Sequence, residues 1–240
     1  MELDLTAFLR EFGFEPGRVN ARLVKASDGR EVLQVRVELG ALQMEVVGRP
    51  DGQPSVLEAL RAQRSGAPGA TLSVADGAAL RLELVMIQQR AVAFLAVGDA
   101  VRAHRDASLL VEGTELLVQR GLSAEREWAE GARFSVLVLR TRCAAMALIA
   151  AGRTRDAGLA IETGLEALAV AAERIGIADG FDSLGDVIAL RTMRDTLVPQ
   201  LPPAQRAELE GRLRAAILAE NYELAAILRD ELRLMERGGG

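Results

Sequence analysis

The sequence predicts an α+β protein: a small N-terminal three-stranded antiparallel sheet with one helix, then an all-α array that ends in a helical hairpin. Three observations predict it. Between residues 19 and 46, apolar and polar side chains alternate in three runs, the period of strands with one buried face. From Ala78 onwards the apolar spacing becomes that of helices. Half of the 240 residues are apolar but only 3% are aromatic. A core made of Ala, Leu and Val suits closely packed helices better than a sheet sandwich.

Taken in order, Leu5, Phe8, Leu9 and Phe12 share one face of a short amphipathic helix, which Gly13 and Pro16 end. Val19, Ala21 and Leu23 begin the first strand run. Ser27-Asp28-Gly29 forms a turn, and Leu33, Val35, Val37 and Leu39 follow. Gly40 is expected to permit a second reversal before Leu42, Met44 and Val46. The first helix is expected to cover the apolar face of this meander. The loop Gly48-Arg49-Pro50-Asp51-Gly52-Gln53-Pro54 has turn chemistry throughout. Its charged residues Glu45, Arg49 and Asp51 make it a candidate ligand or partner loop. Val56 to Arg64 reads as a short helix, and Ser65-Gly66-Ala67-Pro68-Gly69-Ala70 as a linker. The organisation expected is a meander domain over 1–64, a linker over 65–77, helices over 78–199 and a hairpin over 204–237.

Within the helical region two segments look alike. Ala91 to Asp99, followed by Ala103, matches Ala145 to Arg153, followed by Ala157. In each, small residues precede a Gly that ends one helix, and an Ala five positions later lets the next helix approach. This resembles the helix-turn-helix logic of tetratricopeptide repeats. The two segments are farther apart than that family's period, and its Trp and Pro positions are not matched. Ser123 reads as an N-cap after Gly121-Leu122, and Ser183 with Asp186 as a capping box. Trp128 is expected to be a half-buried packing residue, and His104 a surface one.

The last segment carries the most specific pattern. Leu209, Leu213, Ala216 and Ile217 fall on one helical stripe, and a second row follows Asn221. Pro202 and Pro203 stop any helix running in from upstream, Pro203 suits the start of the first helix, Asn221 suits the cap of the second, and Gly238 to Gly240 end it. The run Tyr222-Glu223-Leu224-Ala225-Ala226-Ile227-Leu228-Arg229-Asp230-Glu231-Leu232 resembles the UVR motif. That motif is a helical hairpin shared by the B and C subunits of bacterial nucleotide excision repair and by some Clp-type chaperones and their adaptors. The resemblance covers about an eighth of the chain and implies protein–protein contact. It implies that Leu213, Ile217, Tyr222, Ala225, Ala226, Arg229, Asp230 and Leu232 form a surface for another protein or for a second copy.

Function classes narrow accordingly. The net charge is −5 with one His and one Cys. No basic imbalance marks a nucleic-acid footprint, so direct nucleic-acid binding is not expected. Cys143 alone excludes an internal disulfide and any multi-cysteine zinc site. No nucleophile–base set, phosphate-cradling loop or metal cluster is visible, so neither an enzyme nor a cofactor is expected. No apolar run reaches the roughly 18 residues of a membrane span and the start lacks a signal peptide's apolar core, so a cytoplasmic protein without membrane insertion is expected. The sequence thus favours a non-catalytic adaptor, with the resemblance pointing to excision repair or Clp-type stress response. The alternative is a ligand or peptide sensor whose hairpin only dimerises.

Overall fold

The computed structural model describes residues 4–63, 70–197, 203–218, 224 and 226–229. Strands β1 (Asn20–Lys25), β2 (Glu31–Val37) and β3 (Gly40–Glu45) form one antiparallel sheet in the order β1-β2-β3. Gly29, at φ +84°, closes the first turn, where the Ala26 N–H donates to the Arg30 carbonyl at 2.8 Å. The second turn is made by Glu38 and Leu39, because Val37 pairs with Gly40. Gly40 is therefore the first residue of β3 and not the reversal itself, which corrects the expectation.

Cross-strand register decides which face is buried. Leu23 stands opposite Leu33, and Leu33 opposite Met44. With Ala21, Val35 and Val46 they pack against Ala93, Phe94, Ala103, Ala107 and Cys143 of the helical region. Helix α1 (Thr6–Glu11) does not cover this face, contrary to the sequence-based expectation. It lies over the opposite, polar face, where the Arg22 guanidinium sits 5.3 Å from the Phe8 ring centre and 4.4 Å from that of Phe12. Arg36 Nε donates to the Phe12 carbonyl at 3.0 Å. The physical reason is area. Phe8 of this short helix and Phe12 just beyond it match one cation, Arg22, whereas the long helices offer the sheet a far larger apolar surface.

The rest is helical: α2 (Val56–Gln63), α3 (Val74–Ala96), α4 (Ala100–Arg120), α5 (Ser123–Ala150), α6 (Thr154–Arg174), a 3-10 segment Ala178–Ser183, α7 (Gly185–Leu197) and α8 (Pro203–Leu218). From α3 to α7 each helix packs chiefly on its sequence neighbour. Connections of two or three residues between α3 and α6 force the chain to double back. Three of the helix ends share one device. Gly98, Gly152 and Gly176 all take left-handed φ of +73° to +80°. At each, the glycine N–H and the next N–H donate back to the last turn, as Gly98 does to Leu95 and Asp99 to Phe94 at 3.1 and 2.9 Å. Ala103 and Ala157, five residues beyond the first two glycines, are fully buried.

Helix starts depart from expectation in three places. Residues 74–77, expected in a linker, form the first turn of α3, capped by the Ser73 hydroxyl, which accepts from the Asp76 N–H at 3.1 Å. Ser123 is already helical, with Leu122 in the cap position and no side-chain capping bond. The Ser183 hydroxyl donates to the Gly180 carbonyl at 2.7 Å, so the 3-10 segment uses the group that a capping box needed.

Core packing ties these elements together. Leu57 and Leu60 of α2 share a cluster with Leu80, Leu84, Ile87, Leu110 and Leu117. A further cluster joins Ala145, Ala157, Ile161, Leu168 and Leu190 across α5, α6 and α7. Between the sheet and the helices lies a fully buried ion pair. Arg90 Nε and Nη2 donate to the two Asp106 carboxylate oxygens at 2.6 and 3.0 Å, and Arg90 Nη1 donates to the carbonyls of Glu45 and Gly48 at 2.7 and 2.8 Å. Arg105 adds bonds to Asp106 and to the Val46 carbonyl. The end of β3 and the loop after it are thereby fastened to α3 and α4.

Candidate functional site

Helix α8 begins at Pro203, whose fixed φ and missing N–H suit a first helical position. Residues 224 and 226–229 are helical again. Leu228 and Ala216 are buried against one another with Leu213 beside them. The stripe read from the sequence thus turns two of its members, Leu213 and Ala216, inward. Ile217, at 51% exposure, points elsewhere, as do Leu218 at 86%, Leu224 at 40% and Ile227 at 58%. Ala226 is half-buried and Arg229 exposed. Tyr222, Ala225, Asp230 and Leu232, like Asn221 and the glycines at the end, lie outside the described residues.

Among the described residues of this pair, Ala216 and Leu228 with Leu213 form one small apolar cluster. None of the described residues of this pair belongs to the three clusters that hold the sheet and the other helices. Four large aliphatic side chains face outward over a short span instead. Burying one such side chain is worth roughly 1.5–3 kcal/mol, so this surface has much to gain from a cover.

The second candidate, the loop at Glu45, Arg49 and Asp51, is internally committed. The Glu45 carboxylate pairs with Arg30, its N–H donates to the Pro50 carbonyl at 2.8 Å, and its carbonyl receives Arg90. Arg49 Nε lies 3.0 Å from Asp51 Oδ1, which also accepts from the Gln53 N–H at 3.1 Å. Gly48 and Gly52 take left-handed φ of +70° and +75°. Each charged group here holds the loop in shape.

Several buried polar groups have no counterpart in the sequence-based expectations. Glu83, 1% exposed, accepts from the Ser55 hydroxyl at 2.6 Å and from the N–H groups of Val56 and Leu57 at 2.7 and 3.2 Å. It is a carboxylate from α3 that caps the start of α2. Arg90 and Glu83 sit in the apolar row Leu80, Ile87, Phe94 of α3, and a charged residue at a core position was the available signal. His104 is half-buried, not a surface residue: burial, with Arg140 nearby, pushes its pKa below the ordinary histidine value. Burial pushes the Cys143 thiol up to about 12, with Asp106 adding to the effect and Arg142 opposing it. That thiol is a packing group, since the thiolate is the reactive form. Among the described residues no cluster of His, Cys, Asp or Glu could hold a metal ion, and no helix is long and apolar enough to cross a membrane.

Comparison with models of known protein families, with curated proteins and with solved structures finds no match.

Proposed function

We propose that this chain is a non-catalytic interaction protein, an adaptor, whose C-terminal helical pair docks on another protein. The observation that carries the proposal is the imbalance among the described residues of that pair: Leu213, Ala216 and Leu228 face inward while Ile217, Leu218, Leu224 and Ile227 face outward. A helical unit of this size is below the roughly 40 residues at which a chain sustains its own core without staples or partners.

The tetratricopeptide-like reading of α3–α6 belongs to the same proposal. Two facts support it: the shared glycine cap at Gly98 and Gly152, and the buried Ala103 and Ala157 at equal distances beyond. Each second helix of a pair also carries a glycine that receives a side chain of the first. Leu84 packs on Gly113, and Thr141 on Gly164. Stacked helix pairs of this kind are scaffolds for peptide and protein recognition.

The resemblance to the UVR motif directs the search for partners to the B subunit of bacterial nucleotide excision repair and to Clp-type chaperones. The test is a binding titration of the full chain against each purified candidate, repeated with Ile227→Glu. Saturable binding that the variant loses supports the proposal for that partner. Absence of binding to both removes that partner assignment.

A further inference from the structure

Helix α3 has an exposed side that is unusual in its charge. Its 23 residues contain four charged ones. Glu83 and Arg90 are buried, and Asp76 is engaged with the Ser73 hydroxyl at 2.6 Å. Arg81 is the one cation on an outer face that carries Val74 at 68% exposure, Leu82 at 56% and Val85 at 37%, with Ala78 between them and the exposed, uncharged Gln88 and Gln89 following. A helix apolar on nearly every side is ordinarily covered on every side. Depletion of charge with retained aliphatic area is the composition of an interface centre.

This face forms the floor of an open cleft of about 350 Å³ lined by Ala78, Arg81, Leu82, Val85 and Glu125. The rim carries one cation and one anion, and both are held in place. The Arg81 guanidinium lies over the Trp128 ring at 5.2 Å. The stem of Glu125 crosses Gly77, where a β-carbon would stand 3.0 Å from it. Among the described residues neither charge has an ion-pair partner.

We propose that this face of α3 is the contact between two copies of the chain, related by a two-fold axis. An isologous contact requires that one patch carry its own complement. This patch does: the axis sets Arg81 of one copy against Glu125 of the other, and Glu125 against Arg81, around a centre of Leu82 and Val85. A foreign ligand of one sign would leave one of the two charges opposed by its like or unpaired, at a cost of kcal/mol size. The α3 contact is separate from the C-terminal helical pair, so self-association leaves that pair available for its partner.

The test is the mass of the full chain in solution, by sedimentation equilibrium across a concentration series, with melting curves to show that each variant is folded. Wild type gives twice the chain mass. Leu82→Glu, at an exposed position, gives the monomer. Arg81→Glu and Glu125→Arg each weaken the dimer by more than about tenfold through like-charge contact. The combined exchange restores it. Ile227→Glu leaves the dimer intact. A monomeric wild type at all concentrations overturns the inference. So does a dimer that survives Leu82→Glu, or one that is lost in Ile227→Glu, which would place self-pairing on the C-terminal helices. Failure of the combined exchange to restore the dimer overturns the two-fold pairing.

Discussion

Arg90 and Asp106 show what a single residue decides in this chain. Both are fully buried, and Arg90 also donates to one backbone carbonyl at the end of β3 and one in the loop after it. Removing one partner leaves a charge without compensation in the core, which costs about 3–5 kcal/mol. Asp106→Leu is therefore expected to lose that much stability by urea unfolding. Replacing both, as Arg90→Met with Asp106→Leu, recovers part of it, although the carbonyls of Glu45 and Gly48 lose their donor. Cys143 tests burial at the same scale. With its thiol pushed up to about 12, it is expected to resist a thiol-specific reagent at neutral pH until the chain is unfolded in denaturant, when one thiol reacts at once. Prompt reaction in the native state would show that the cluster around Cys143 opens.

At the scale of elements, close approach is set by small residues. Gly164 of α6 faces Thr141 of α5 so closely that a methyl group would overlap the threonine side chain. Thr141 is 5% exposed and fixed by its hydroxyl bond to the Leu137 carbonyl at 2.8 Å, so it has nowhere to turn. Gly164→Ala is expected to cost about 1–3 kcal/mol, read as a lower melting temperature. Thr141→Ala in the same chain returns most of it. The meander, the helical region and its glycine turns were legible in the sequence because alternation and glycine placement are local signals. What covers the sheet was not. Alternation shows that Leu23, Leu33 and Met44 share a face, but the choice between α1 and the long helices is made by relative area, which no local window contains. Ser123 and Ser183 failed as caps for a similar reason: the helix start shifted by one residue in one case, and in the other a preceding turn took the hydroxyl. Ser73, which the sequence-based reading placed in the linker, is the residue that caps α3.

For the whole molecule, the sheet and α2–α7 share three packed clusters, whereas the described residues of the C-terminal helical pair form a small one of their own. The inward side of that pair was partly legible: Leu213 and Ala216 lie on the stripe that periodicity identifies. The outward side was not, because Ile217 shares that stripe and yet faces solvent. Helical periodicity locates an apolar side but does not divide it between an internal neighbour and an external one. That division is the basis of the adaptor reading, and it makes the outward residues the ones to change. The most direct measurement is capture of binding partners by the tagged full chain, wild type against Ile217→Glu with Ile227→Glu, quantified by mass spectrometry at matched levels of folded protein. Loss of a stoichiometric partner in the variant, with an unchanged melting curve, is the result predicted for a docking surface. Recovery of the same proteins in the same amounts by both would contradict it and return the C-terminal pair to the chain's own architecture.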